Sequence, residues 1–181
     1  MRLYPVWDPF LRLFHWSLVT LFTLDALVLD PEIRLHRWVG YAVAVLVGLR
    51  IVWGLIGPVR ARFADFLPTP FAVAEQIGDI RANRRRAHLG HTPLGALMIL
   101  NLLLTLIAIA VTGYLQTTLA YWGVAWVTEL HEGLVTWAEL SVAAHIAAVI
   151  WESRRTGINL ARAMVTGEKP VPEGVELLDH H

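Results

Sequence analysis

Four stretches of this chain are apolar over about the 20 residues a helix needs to cross a bilayer, and nothing else in it restricts the fold so strongly. They cover residues 10–29 ("FLRLFHWSLVTLFTLDALVL"), 35–56 ("LHRWVGYAVAVLVGLRIVWGLI"), 93–115 ("PLGALMILNLLLTLIAIAVTGYL") and 129–151. In lipid every backbone amide must be satisfied within the protein, so single runs of this length predict helices. The chain is 56% hydrophobic and only 17% charged, against about a quarter charged for a soluble domain. Asp30-Pro31 leaves so short a turn between the first two spans that they must be antiparallel neighbours. The expected fold is all-α: an integral membrane four-helix bundle, up-down-up-down, with residues 1–165 as one domain and a polar, loose tail over 166–181.

The long connection, residues 57–92, is broken by Pro58, Pro68 and Pro70. A short amphipathic helix near residues 71–83 would suit the membrane surface, and Pro93 suits the first turn of the third span. Trp7, Trp16, Trp38, Trp53, Trp122, Trp126 and Trp151 gather near segment ends, as interfacial belts do. Basic residues set the orientation. The long connection carries Arg60, Arg62, Arg81, Arg84, Arg85 and Arg86; Arg2 precedes the first span; Arg154, Arg155, Arg162 and Lys169 follow the fourth. The first turn has only Arg34 and Arg37, and residues 116–128 have neither Lys nor Arg. Both termini and the long connection are therefore expected in the cytoplasm, and the two short connections outside, in the periplasm of a bacterium. No small-residue cleavage site follows the first run, which reads as a retained span that also directs insertion into the inner membrane. His180 and His181 read as either tag remnant or plain tail.

The chain has no Cys, which excludes disulfides, Cys-ligated iron–sulfur clusters and covalent haem attachment. Zero formal net charge supplies no basic field of the kind that marks nucleic-acid binding.

Imidazoles are expensive in lipid and mark function there. His131 and His145 stand fourteen residues apart in the fourth run. At about 100° per residue this is only about 40° short of whole turns, and the rise is roughly 21 Å. The hydrocarbon core is about 30 Å thick, so the two share one stripe with one near each boundary. His36 opens the second span on the outer side, and His15 lies near the inner start of the first. Depth pairs His36 with His131 and His15 with His145; the third span has no histidine and reads as scaffold. Facing imidazoles in an apolar bundle suit the axial positions of a haem b held without covalent bonds. A tetrahedral zinc would want four ligands, and each level offers two. Two haems stacked across the membrane would make an electron path, with no open iron position for oxygen.

Other residues leave alternatives open. Arg50 lies fourteen residues after His36, on the same stripe at the inner level; it either pairs a haem propionate or snorkels to the cytoplasmic interface. Arg12 and Arg37 pose the same choice closer to the interface. Gly40, one turn after His36, either admits a ring close to the backbone or eases helix packing. Asp25 and Glu139 are acids within spans that either relay protons, or stay protonated or pair inside the bundle. Asn101 reads as an interhelical hydrogen bonder. His88 and His91, in "HLGH", are a candidate wall for a quinone headgroup beside the inner level.

The strings "VWDPFLRLFHW", "LHRWVGYAVAVLVGLRIVWGLIGPVRARFADF", "HLGHTPLGALMIL", "TGYL" and "ELHEGL…AAHI…NLARAMVTGEKP" run over nearly the whole chain. In combination they resemble the bacterial cytochrome b-561 family, related to the cytochrome b subunits of nickel–iron hydrogenases and formate dehydrogenases. The resemblance implies a four-helix membrane bundle with two bis-histidine haems b, ligated by His15, His36, His131 and His145, that exchanges electrons with the quinone pool. Thr92 stands where that family often has Asn. The function expected is electron transfer between quinone and a periplasmic partner: a cytochrome c, a hydrogenase or another dehydrogenase. Two alternatives are a superoxide oxidase passing electrons from periplasmic superoxide to quinone, and a haem-free membrane anchor. Whether the chain is itself an enzyme is left open.

Overall fold

The computed structural model describes residues 2–31 and 33–178; His180 and His181 lie outside the described residues. In chain order the elements are β1 (Arg2–Pro5), α1 (Pro9–Leu27), α2 (Arg34–Ile56), α3 (Phe63–Phe66), α4 (Pro70–Arg81), β2 (Arg86–His88), α5 (Pro93–Leu115), α6 (Ala125–Thr156), α7 (Leu160–Thr166), β3 (Glu168–Val171) and β4 (Glu176–Leu178). The helices α1, α2, α5 and α6 are each long and apolar enough to cross a membrane, by length and composition. Leu13, Leu55, Leu104 and Leu140 are 62–70% exposed. Such a surface is a liability in water and ordinary against lipid. The fourth span, expected over 129–151, runs from Ala125 to Thr156. Apolarity marks only the part of a helix that needs lipid. The ends continue until the backbone turns, here at Gly157 with φ of 75°.

The described residues form two compact units, one within 2–12, 52–100 and 144–178, the other within 13–31, 33–51 and 101–143.

In the first unit, Thr69 caps α4 by accepting from the Ala72 N–H, and Pro70 follows at the first helical position. The helix expected near 71–83 is thus present, and its polar Gln76 and Asp79 are buried while Phe71 is exposed. Gln76 Oε1 accepts the Leu94 N–H at 2.8 Å, and Thr92 Oγ1 accepts the Gly95 N–H at 3.0 Å, so both satisfy orphan donors at the start of α5. Asn and Thr are both good N-caps, so Thr92 keeps the capping chemistry an Asn would supply.

The tail expected to be loose is ordered through Leu178. α7 ends at Gly167, whose φ is 87°. The Gly167 carbonyl accepts from the Val6 and Trp7 N–H groups. β3 pairs antiparallel with β1, and β4 pairs parallel with β2. Ala87, Ile158 and Val171 form a small core beneath them, with Tyr4, Leu160, Val175 and Leu177 packed against it. The polar composition of the tail concealed an alternation of buried and exposed residues along β3 that a two-residue strand period requires.

In the second unit, Asn101 donates to Ser141 Oγ at 2.9 Å and accepts from Trp137 Nε1 at 3.0 Å, tying α5 to α6 as an interhelical hydrogen bonder.

Candidate functional site

His36 on α2 and His131 on α6 come together within the second unit. Their ring centroids are 6.5 Å apart and the rings are turned 87° to one another. A metal–imidazole bond is about 2.0 Å and the ring centroid lies about 1.1 Å behind the bonding nitrogen, so imidazoles trans across one metal have centroids roughly 6 Å apart. The observed spacing fits one metal between them.

The other ring nitrogens are held from behind. Asp25 Oδ1 lies 3.0 Å from His36 Nδ1, a close ion-pair contact without the alignment of a full hydrogen bond. Asp25 therefore pairs inside the fold. His131 Nδ1 lies 3.0 Å from Thr112 Oγ1, and the Thr112 hydroxyl is 2.8 Å from the Ala108 carbonyl. With its hydrogen on that carbonyl, Thr112 accepts from His131 Nδ1–H. Both arrangements leave Nε2 with the lone pair a metal needs. Beside Thr112, Gly113 makes room for the ring: a Cβ added there would meet His131 Cε1 at 3.1 Å. α5 is therefore more than the scaffold expected of a span without histidine, because it orients one of the two imidazoles. The adjacent Thr-Gly pair in a largely aliphatic helix was the one faint signal. Two imidazole donors are too few for a tetrahedral zinc and are the number a haem iron takes beyond its macrocycle.

Arg50, also on α2, is 2% exposed. Its guanidinium lies inside the fold and does not snorkel along the outer surface. The nearest group to the bare face of Gly40 is Asp25 Oδ2, 3.8 Å from where a Cβ would stand. Arg37 is exposed, and Glu139 is half-buried. His15 is half-buried, its ring edge-on to Trp16 at 5.1 Å. His145 is half-buried and belongs to the first unit, whereas His15 belongs to the second.

In the first unit, His88 is buried and His91 half-buried. The His91 ring is packed by Trp7 and Phe66, each with centroids 4.5 Å away. Trp7 thus packs inward on a histidine, although its position suggested an interfacial belt, and Trp53 packs on Phe10 at 4.6 Å. The residue missed by sequence is Lys169. It is 3% exposed and so adds nothing to the exposed basic rim. Its ammonium donates to the carbonyls of His88, Leu89 and Gly90 at 3.0, 2.8 and 2.9 Å, and stands 5.3 Å from the centre of the Trp7 ring. Burial lowers its pKa to about 8, with Glu152 opposing and Arg60 reinforcing the shift. Arg12 runs past Gly167, where an added Cβ would lie 3.0 Å from Nη1.

Four helices long and apolar enough to cross a membrane, with two imidazoles from different helices brought to 6.5 Å of one another, define a multi-pass membrane protein with a histidine pair inside it. The sequence pattern of the prokaryotic cytochrome b561 family matches residues 6–167, and the chain belongs to that family. Membership implies a haem b membrane cytochrome engaged in electron transfer, and the four long apolar helices are consistent with the family's four-helix bundle. Searches of curated proteins and of solved structures give no match.

Proposed function

We propose that this chain is a di-haem cytochrome b of the bacterial inner membrane, carrying electrons between the quinone pool and a periplasmic redox partner. The observation that carries this is the 6.5 Å separation of His36 and His131, with Asp25 and Thr112 behind their Nδ1 atoms. Haem supplies one-electron chemistry at each level. His36 and His131 are the outer axial ligands. His15 and His145 are the inner pair, from their matching depth in the sequence. Arg50 and Arg12 are assigned to haem propionates, and the burial of Arg50 supports this, since it keeps the guanidinium inside the fold and not at the cytoplasmic interface. Gly40 leaves α2 bare one turn after His36, where Asp25 fits against it beside the outer level. His88 and His91 form the wall of a quinone headgroup site, with the His91 ring packed by the tilted rings of Trp7 and Phe66. The distribution of arginines supports cytoplasmic termini and a periplasmic partner such as a cytochrome c, a hydrogenase or another dehydrogenase.

Haem content tests the assignment. His36→Ala and His131→Ala should each halve the pyridine haemochromogen yield and leave the inner spectrum, and His15→Ala and His145→Ala should do the converse. Full haem retention in any one of them removes that residue from the ligand set. Rapid haem reduction by superoxide with no partner protein present would replace the periplasmic donor with superoxide itself.

A further inference from the structure

The two outer imidazoles are braced by unlike groups. His131 meets a neutral hydroxyl, Thr112, and His36 meets a carboxyl group, Asp25, at 3.0 Å. Asp25 sits on α1 inside an apolar span, where an acid is costly and is retained for a reason. Its side chain is 14% exposed and that of His36 25%. Its second oxygen looks onto Gly40, where α2 presents bare backbone and a Cβ would come to 3.8 Å. The acid thus fits against α2 at the turn following His36, and its anionic form faces the ring nitrogen remote from the metal side.

A carboxylate behind a ligating imidazole fixes the tautomer and ring direction and makes the imidazole a stronger donor. A stronger donor and a nearby negative charge both favour the more positive, oxidised metal, so the group behind a ligating imidazole is a lever on haem potential.

We propose that Asp25 is a positioning residue for the outer haem: it holds the His36 ring with Nε2 towards His131 and lowers the midpoint potential of that haem relative to a neutral partner. This role rests on His36 and His131 being the outer ligand pair. The outer haem is then a more reluctant electron acceptor with the Asp25 carboxylate behind His36 than with a neutral group in its place.

The test is a mediated redox titration of the purified holoprotein, followed in the α-band, for the native chain, Asp25→Asn and Thr112→Val. In Asp25→Asn one of the two components should titrate higher by about a tenfold change in the oxidised-to-reduced ratio, about 59 mV for one electron, and the other should stay in place. Thr112→Val removes no charge and should move the same component less. If Asp25→Asn fails to assemble, Asp25→Glu and Asp25→Gln give the comparison at equal length, and the Gln chain must titrate higher than the Glu chain. A general loosening of the fold would shift both components or broaden both, which overturns the proposal. So does an unchanged pair of potentials in Asp25→Asn when His36→Ala has lost one haem. Full haem retention in His36→Ala removes the ligand assignment itself, a separate failure.

Discussion

Replacing Gly113 by Ala adds one methyl group against the outer site and nothing else. Its Cβ would stand 3.1 Å from His131 Cε1 and 3.5 Å from Nδ1. The first distance is inside ordinary contact, so the imidazole must retreat by a few tenths of an ångström, along a path that also strains its 3.0 Å contact with Thr112. Binding constellations of this kind must be held within about 0.5 Å, and disturbing the group that orients a metal-bound histidine costs about 10–100-fold in affinity. That range is about 1.4–2.8 kcal/mol, more than the roughly 1 kcal/mol that Ala gains over Gly in a helix. The control is Gly133→Ala on the same helix as His131, where an added Cβ meets nothing within 4 Å. It should bind haem normally and be slightly more stable. The assay is haem content per chain with the reduced α-band, during extraction by a competing apo-globin. Gly113→Ala should lose one haem faster than the native protein and keep the other. Equal haem release from Gly113→Ala and Gly133→Ala would refute the claim that α5 shapes the outer site.

Lys169 should make stability rise with pH above 8. Its folded pKa is lowered to about 8 from 10.5, so between those values the unfolded chain holds the proton and the folded chain does not, and stability increases with pH across that window. Thermal midpoints in detergent should show the native chain gaining on Lys169→Met from pH 8 to 10; a flat or falling difference would contradict the burial of this amine. Asn101→Leu removes the hydrogen bonds to Ser141 and Trp137, and interhelical bonds in bundles contribute about 0.6–1.7 kcal/mol. A lower unfolding midpoint with both haems retained is expected, and haem loss would place Asn101 in the cofactor site instead.

Much of this protein was legible before any fold was known. The four helices follow from run length, and three of them begin and end within a residue or two of the apolar boundaries. Pro93 marked the start of α5, and Asn101 declared its hydrogen bonds by being the one amide in an aliphatic run. The pairing of His36 with His131 needed only helical rise and membrane thickness. Other features left no such trace. Asp25 was an acid with two open roles until α1 was set beside α2. Thr112 and Gly113 stood only as part of the string TGYL, with no role of their own. Lys169 looked like one more cation of a solvated tail, because a composition of Glu, Lys and Pro hides a strand whose every second residue is buried.

By itself the sequence determined which segments are long and apolar enough to enter lipid and how far along each one its histidines stand, because hydrocarbon forces each span to satisfy its own backbone and so makes length and spacing properties of one helix at a time. Only the tertiary structure decided what stands behind each imidazole, because that depends on how a helix is rotated and which neighbour it meets. Both are set by packing between segments distant in the chain.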